Sequence, residues 1–355
     1  MKQILLICAV VMGQSVLAAD KKPLTEEESA KIIEEAIRKA AGKPTGELTK
    51  ADYKKVTKLE LDYSQLTDVK GLEKLTQLET LTLSDNQLAD VKGLEKLTKL
   101  SILVLSNNQL KDVTGLENLT QLETLYLGNN QLTDVKGLEK LTQLKELDLN
   151  NNQLIDVKGL EKLTKLTDLT LNNNRLTDVK GLENLTQLRA LLLNNNKLTD
   201  VKGLEKLTQL TQLWIHENQL TDVRSLEKLT QLKELRLMNN QLTELPKGLD
   251  KLTQLERLDL VNNKLTDLKG LENLTRLVEL RLDRNQLTDV KGLEKLTQLT
   301  WLQLSSNQLT DVKGVEKLTQ LKVLYLRGNP DLTKAQIDEL QKALPNCKII
   351  SNPKK

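Results

Sequence analysis

The 22-residue segment LETLTLSDNQLADVKGLEKLTK, residues 78–99, carries the pattern that decides the fold. Leucine or valine occupies positions 78, 81, 83, 88, 91, 94 and 97, and asparagine occupies position 86. Copies of the pattern begin at Val56, Leu78, Leu100, Leu122, Leu144, Leu166, Leu188, Leu210, Leu232, Leu255, Leu277 and Leu299, with a truncated thirteenth at Leu321. Successive copies begin at a constant spacing, except that the step from Leu232 to Leu255 is one position longer. Repetition at a fixed period of this length indicates a stack of structural repeats.

Within each copy, a short alternating stretch predicts a β-strand. Leu81 and Leu83 point to one face of that strand, whereas Thr80, Thr82 and Ser84 point to the other. The remaining apolar residues turn inward from an irregular return segment. One copy cannot enclose a core alone, so the copies must stack. This is the leucine-rich repeat pattern, and it predicts an α/β fold: a curved right-handed solenoid with a concave parallel β-sheet and helical caps.

An asparagine recurs where each predicted strand turns inward. A buried amide at this point can bond free backbone groups of adjacent turns, which would otherwise lack partners. We therefore interpret these residues as structural: Asn86, Asn108, Asn130, Asn152, Asn174, Asn196, Asn218, Asn240, Asn263, Asn285, Asn307 and Asn329. The first copy has Ser64 instead, as expected for a terminal coil next to a cap.

Both ends of the array carry helical patterns that predict caps. Thr25 with Glu28, and Thr333 with Gln336, predict capping boxes at the starts of two helices. The apolar face of the first helix comprises Ile32, Ile33, Ala36, Ile37 and Ala40. The predicted organisation is a signal peptide at residues 1–19, a helical N-terminal cap at 20–55, a solenoid of thirteen coils at 56–328 with the last one partial, and a C-terminal helical cap at 329–355. Residues 347–350 are candidates for a final strand.

The segment from Met1 to Ala19 has the features of a cleaved secretory signal. Lys2 precedes an apolar stretch from Ile4 to Met12, and small residues follow at Ala18 and Ala19. The stretch is shorter than the roughly 20 apolar residues that a membrane helix needs. We therefore expect a secreted or periplasmic protein with no membrane insertion after cleavage. The mature chain keeps Cys347, which we expect to be buried as a small hydrophobic residue.

The composition argues against several classes of function. The 52 basic and 49 acidic residues balance, so no nucleic-acid partner is expected. One histidine and two cysteines cannot build a zinc site, and the turn aspartates lack the spacing of a calcium loop. No metal or cofactor is therefore expected. His216 beside Glu217 is the only acid–base pair available, so we predict that the protein is not an enzyme.

The repeats LxxLxLxxNxLxDVxGLxxLTx, with the front helix and the stretch LTKADYKKVTKLEL at residues 48–61, resemble the leucine-rich repeat region of internalin-type bacterial surface proteins. The resemblance extends from Leu24 to the C-terminus and rests on a dozen copies of the motif. It implies a solenoid that binds a partner protein through its concave sheet.

The copies differ from one another on the predicted concave face. The fifth position of the copies carries nine residue types: Glu60, Thr82, Val104, Tyr126, Asp148, Thr170, Leu192, Trp214, Arg236, Asp259, Arg281, Gln303 and Tyr325. A glutamate of the return segment, from Glu73 to Glu316, is instead kept in all eleven full 22-residue copies. We expect that glutamate to be just as exposed. The contrast therefore predicts that the concave face recognises a partner.

Aromatic and arginine side chains are common anchors of interfaces, and most aromatic residues of the chain fall at predicted concave positions. The candidate partner-binding residues are Tyr126, Asp148, Trp214, His216, Arg236, Arg257, Asp259, Arg281, Arg284, Trp301 and Tyr325. The first six coils are net acidic on this face, whereas later coils mix arginines with carboxylates. Two interpretations of those arginines stay open: pairing across neighbouring strands, or contact with a partner.

Three functions remain open from the sequence. The first is an exported module that binds a protein in the concave groove. The second is a glycan- or cell-wall-binding module with Tyr126, Trp214, Trp301 and Tyr325 as stacking platforms, of which only the last two lie on neighbouring coils. The third is a passive spacer. Independently, Pro246 lies beside the extra residue of the one longer copy and predicts a local change of curvature.

Overall fold

The repeats build one long parallel sheet. The computed structural model describes residues 23–352; the predicted signal peptide, residues 1–19, lies outside them. Fourteen strands follow one another in chain order, each hydrogen-bonded to the next. They are β1 (Lys58–Glu60), β2 (Thr80–Thr82), β3 (Ile102–Val104), β4 (Thr124–Tyr126), β5 (Glu146–Asp148), β6 (Asp168–Thr170), β7 (Ala190–Leu192), β8 (Gln212–Trp214), β9 (Glu234–Arg236), β10 (Arg257–Asp259), β11 (Glu279–Arg281), β12 (Trp301–Gln303), β13 (Val323–Tyr325) and β14 (Lys348–Ile350). This is the predicted leucine-rich repeat solenoid, and β14 is the expected final strand.

Helices flank the sheet at both ends. In the described part of the chain they are α1 (Glu26–Ala41) and α2 (Lys50–Lys55) before β1, and α3 (Lys334–Ala343) before β14. Both predicted capping boxes are present. Ile33 and Ile37 of α1 join the core, but Ala40 is exposed and Ala41, one helical turn after Ile37, packs there instead. Short 3₁₀ helices lie in some return segments: Leu72–Lys74, Leu138–Lys140, Leu204–Lys206, Arg224–Lys228, Leu249–Lys251 and Val315–Lys317.

The core is almost purely aliphatic. In the second copy, Leu81 and Leu83 face inward from β2, and the other five apolar residues of the pattern are buried with them. The same positions are buried in the other full copies, so the cores of successive coils form one continuous cluster. Cys347 is buried in that cluster, as predicted, and burial raises the pKa of its thiol.

The recurring asparagines satisfy buried backbone groups, which confirms their structural interpretation. Asn196 donates from Nδ2 to the carbonyl oxygens of Leu171 and Leu193 (both 3.0 Å). Its Oδ1 accepts the N–H of Leu176 (3.0 Å). All twelve asparagines make the equivalent bond to a backbone N–H of the preceding coil. Each asparagine thus joins two coils where no regular backbone pairing is available.

The return segments also hold their acidic residues by backbone bonds. Asp90 accepts the N–H of Lys92 (3.1 Å), and Glu95 accepts the N–H of Gly93 (2.7 Å), whose φ of 110° favours glycine. The glycine–glutamate bond recurs in ten coils, and these glutamates are half-buried. This glutamate is thus as exposed as most concave residues, as expected, but it also has a structural role, because it provides the partner of a backbone donor in a tight turn.

The extra residue of the longer copy is absorbed in its return segment. Gly248, which follows Pro246 and Lys247, has a φ of 82°, whereas the equivalent Gly93 has 110°. On the sheet, β9 and β10 keep their pairing, with Glu234 opposite Arg257 and Arg236 opposite Asp259. The backbone change at Pro246 therefore leaves the strand register on the concave face intact.

We expect Asn196→Ala to destabilise the solenoid by about 3 kcal/mol, because three buried backbone groups lose their partner. Chemical denaturation followed by circular dichroism measures this loss. Thr208→Ala is the matched control, since Thr208 is exposed and its hydroxyl has no hydrogen-bond partner among residues 23–352. Equal stability of the two variants would contradict the structural role of the asparagine.

Candidate partner-binding surface

The concave face is the side of the sheet that points away from the core. In β2 it presents Thr80 and Thr82, followed by Ser84 just beyond the strand. Because the strands are parallel and in register, the equivalent residues of other coils form three rows that run the length of the sheet. Side chains of neighbouring coils in one row lie close enough to contact each other.

Three carboxylates lie together on β5 and β6 and form what we call the acidic patch: Glu146, Asp148 and Asp168. Glu146 is directly opposite Asp168 in the register, and Asp148 follows on the same face. Tyr126 of β4 donates its hydroxyl hydrogen to Glu146 (2.7 Å). Within residues 23–352 none of the three carboxylates forms a salt bridge with a lysine or arginine. The patch is therefore held in place by neutral donors only.

Burial sets the protonation of Asp148 in the acidic patch. Desolvation raises the pKa of Asp148 to about 6, although the backbone N–H and side-chain amide of Asn150 (both 2.9 Å) favour its ionised form. Burial and the bond to Glu146 also raise the pKa of Tyr126, which remains a neutral donor. Asp148 therefore changes charge close to neutral pH.

Glu234 is the centre of a second cluster, on β8 to β10. Its Oε1 accepts from the indole Nε1 of Trp214 (2.9 Å) and from Nε of Arg236 (2.7 Å). Its Oε2 accepts two bonds from Arg257 (both 3.2 Å). The Arg236 guanidinium also lies 3.9 Å from the centroid of the Trp214 ring, a cation–π distance. One buried carboxylate thus orients an indole and two guanidinium groups.

A third cluster follows on β10 to β13. Arg281 donates from Nε to Glu279 (2.5 Å) and lies 3.8 Å from Asp259 on the neighbouring strand. Burial raises the pKa of Asp259. Trp301 and Tyr325 contact each other with ring centroids 5.4 Å apart. Arg257 and Arg281 thus pair across neighbouring strands, and Arg236 pairs within its own strand. The side chains of Arg236, Arg257 and Arg281 nevertheless remain 39%, 50% and 43% exposed.

The structure places ten of the eleven candidate residues on the three rows. Arg257 and Trp301 lie in the first row, His216 lies in the third, and the second row holds Tyr126, Asp148, Trp214, Arg236, Asp259, Arg281 and Tyr325. Arg284 was expected on this face, but it occupies the left-handed turn after β11, with a φ of 56°. Many coils have asparagine at that position, which tolerates the conformation. Arg284 therefore lies at the rim of the concave face.

Glu234 was not among the candidates, although it holds the second cluster together. Period-two alternation places Glu234 on the same face as Arg236, so its position was predictable. Its bonds to Trp214 and Arg257 were not, because they depend on the side-chain conformations of strands that belong to different coils. His216 is half-buried. Burial lowers its pKa, and its Nδ1 has no hydrogen-bond partner in the described part of the chain.

Two kinds of feature are absent over residues 23–352. No group of three or more histidine, cysteine, aspartate or glutamate side chains there is arranged to hold a metal ion. None of the described helices has the length and apolar character required to cross a bilayer.

Comparisons with known families agree with this architecture. The family "Leucine Rich repeats (2 copies)" matches seven overlapping segments, residues 54–96, 76–118, 98–140, 120–162, 142–184, 164–206 and 186–228. The family "Leucine-rich repeat region" matches residues 216–352. No curated protein sequence matches the chain.

Similar solved structures include two internalins of Listeria monocytogenes. The internalin inlF is 32% identical with a TM-score of 0.86, over 96% of this chain and 99% of that one. Internalin C2 is 34% identical with a TM-score of 0.56, over 59% and 92%. The ectodomain of the Arabidopsis thaliana receptor kinase GASSHO1/SCHENGEN3, in complex with Casparian strip integrity factor 2, is 25% identical with a TM-score of 0.55, over 86% and 45%.

The fold and the comparisons define a leucine-rich repeat protein, a class of solenoid that typically serves as a protein-interaction scaffold. Within this class, the chain belongs to the internalin-like family of bacterial leucine-rich repeat proteins.

At about pH 7.5 we expect Asp148→Asn to stabilise the protein by about 1–2 kcal/mol. Between the ordinary pKa of about 3.9 and the folded value, the folded chain keeps a proton that the unfolded chain has lost. The free energy of unfolding therefore falls as the pH rises through this window, and the substitution removes that cost. Denaturant titrations measure the difference.

The same comparison at about pH 3.5 is the control, because there the aspartate is protonated in the folded protein and mostly protonated in the unfolded chain. The stabilisation should shrink toward zero. An equal gain at both pH values would assign it to packing instead of ionisation.

Proposed function

We propose that this protein is an exported binding module that recognises a partner protein on its concave face. Its proposed role is recognition without catalysis, in keeping with the leucine-rich repeat fold, which typically serves as a protein-interaction scaffold. The concave rows provide the contact surface, with Tyr126, Trp214 and Arg236 as anchors. Each of these side chains is partly exposed.

The observation that carries this proposal is a contrast between two exposed positions of the repeat. The return segment has an exposed threonine in all twelve full copies: Thr76, Thr98, Thr120, Thr142, Thr164, Thr186, Thr208, Thr230, Thr253, Thr275, Thr297 and Thr319. The hydroxyls of these residues have no hydrogen-bond partner in the described structure. Neutral drift would therefore have altered them as readily as concave residues. Of the two positions compared, only the concave one diversified, which favours selection for a partner there.

The anchors are already ordered without a partner. Tyr126 is bonded to Glu146, and Trp214 and Arg236 are bonded to Glu234. A side chain that is fixed before binding loses less conformational entropy when the complex forms. Aromatic and arginine residues in such positions dominate the energetics of protein interfaces.

Charge distribution supports a polar partner surface with defined orientation. The acidic patch forms no salt bridge with a lysine or arginine among residues 23–352, whereas the carboxylates of β9 to β11 are paired with arginines. A partner that contacts both regions would face unpaired carboxylates on β5 and β6, and carboxylates already paired with arginines on β9 to β11. Such asymmetry sets the direction of docking more than its strength.

The similar plant receptor ectodomain is in complex with a partner, Casparian strip integrity factor 2. Membership of the internalin-like family likewise favours a protein partner and export.

We expect the triple variant Tyr126→Ala, Trp214→Ala and Arg236→Ala to lose its partner, by about a hundredfold or more in affinity, because each anchor contributes on the order of 1 kcal/mol or more. Immobilised residues 20–355 and the triple variant are compared as baits for extracellular and envelope proteins, with mass spectrometry of the captured fractions.

The matched control bait carries Thr142→Ala, Thr208→Ala and Thr230→Ala, three exposed return-segment threonines of nearby coils. It should retain every partner that the unaltered bait captures. Equal capture by all three baits would remove the concave face from consideration and favour a passive spacer.

Export has its own test. We expect a bacterium that expresses the full chain to release or transport a product that begins near Ala19 or Asp20, because the preceding residues have the pattern of a signal peptide. N-terminal mass spectrometry of the cell fractions identifies the start. A chain lacking residues 2–19 is the control and should stay in the cytoplasm. Intact full-length chain confined to the cytoplasm would contradict export.

A further inference from the structure

A cavity of about 450 Å³ opens where β10, β11 and β12 begin, at the edge of the concave face. Its volume lies in the range of small-molecule sites, about 300–1,000 Å³. Val278, which immediately precedes β11, lines it and is 39% exposed. The equivalent residue is polar in the twelve other copies. An apolar side chain at this one coil therefore marks the cavity as different from the rest of the edge.

One wall of the cavity is the indole of Trp301. Tyr325 of β13 covers the indole from the next coil, with ring centroids 5.4 Å apart. On its other side, Trp301 is paired in the register with Glu279 of β11, which also lines the cavity. When the amide of Gln303 has its oxygen toward Nε1, that oxygen accepts the indole hydrogen (3.2 Å). The indole N–H of Trp301 is thus already bonded, so this residue contributes apolar ring surface to the cavity.

The polar lining contains equal numbers of positive and negative groups. Arg257 and Arg281 provide donors, and Glu256 and Glu279 provide acceptors. Arg257 uses Nε and Nη2 for Glu234, and Arg281 uses Nε for Glu279, so each guanidinium keeps further N–H groups. The polar lining of the cavity therefore combines donors and acceptors without a net charge.

This combination selects among ligand classes. A charged group of a ligand would contact a like charge in the cavity lining as well as an opposite one. A purely apolar ligand would displace water from the arginines and glutamates of the lining without replacing the hydrogen bonds of that water, which is costly. A hydroxyl both donates and accepts, so several hydroxyls on one ring match such a lining. A ring that also has an apolar face packs against the indole.

We propose that the cavity binds a neutral pyranose ring of an oligosaccharide, stacked on Trp301 with its hydroxyls toward Arg257, Arg281 and Glu279. This site goes beyond the proposed protein recognition, because its ligand is a sugar. Arg257, Arg281 and Trp301 also lie on the concave rows, but Trp301→Ala and Val278→Arg, the variants that test the sugar site, leave the anchors Tyr126, Trp214 and Arg236 unchanged. The two proposals are therefore tested by different substitutions.

The test is an array of neutral oligosaccharides, including glucans, galactans and chito-oligosaccharides, probed with residues 20–355 and with three variants. Trp301→Ala removes the platform, and Val278→Arg fills the cavity while leaving the indole in place. Thr297→Ala, exposed on the return segment of the same coil, is the control. Thermal unfolding establishes that all variants are folded, as expected for changes outside the core.

We expect saturable binding of at least one neutral glycan by the unaltered protein and by Thr297→Ala. Trp301→Ala should lose about tenfold in affinity, the size of a lost stacking contact together with its ordering, and Val278→Arg should lose binding altogether. In a Trp214→Phe protein, the emission of the remaining indole should shift on titration with the bound glycan.

Binding to no neutral glycan at concentrations of about 10 mM, where even a Kd of about 1 mM gives near saturation, would overturn the proposal. So would glycan binding that Trp301→Ala and Val278→Arg leave undiminished, or binding of peptides alone that these two variants abolish.

Discussion

Backbone groups at the turns of the solenoid must find partners away from water, and this requirement governs most of the repeated sequence. The short strands satisfy only part of the backbone of each coil. Asparagines such as Asn196 supply the missing donors and acceptor in the interior. Aspartates and glutamates such as Asp90 and Glu95 do the same in the return segments. The aliphatic core can close only because these side chains replace water at each turn.

Most side chains of the concave face have no such role, since the strands satisfy most of their backbone by pairing with their neighbours, although Asp148 and Asp259 each accept a backbone N–H just beyond their strands. The side chains of this face are therefore free to differ between coils, and they have organised into local clusters around carboxylates. Glu234 shows the consequence: one buried acid orients Trp214, Arg236 and Arg257. Arg236 and Arg257 can still contact a ligand although they are bonded to Glu234, because their side chains remain substantially exposed.

Much of this arrangement followed from periodicity. The apolar positions, the asparagine column, the capping boxes and the placement of Trp214 or Tyr325 on the concave face depend only on spacing along the chain. Two expectations failed where local geometry intervened. Arg284 lies in a left-handed turn, and Ala41 replaces Ala40 against the core. Each failure concerns a backbone conformation or helix phase that the apolar pattern does not specify.

The sequence by itself determined the stacked architecture and which rows face outward, because a repeat that cannot bury its own leucines has only one way to do so. Only the tertiary structure decided which outward residues act together. The contacts of Glu234, the isolation of the acidic patch and the cavity beside Trp301 all join side chains from different coils, one full repeat apart in sequence and one strand spacing apart in space. Such neighbours interact through their side-chain conformations and burial, which the order of residues leaves open.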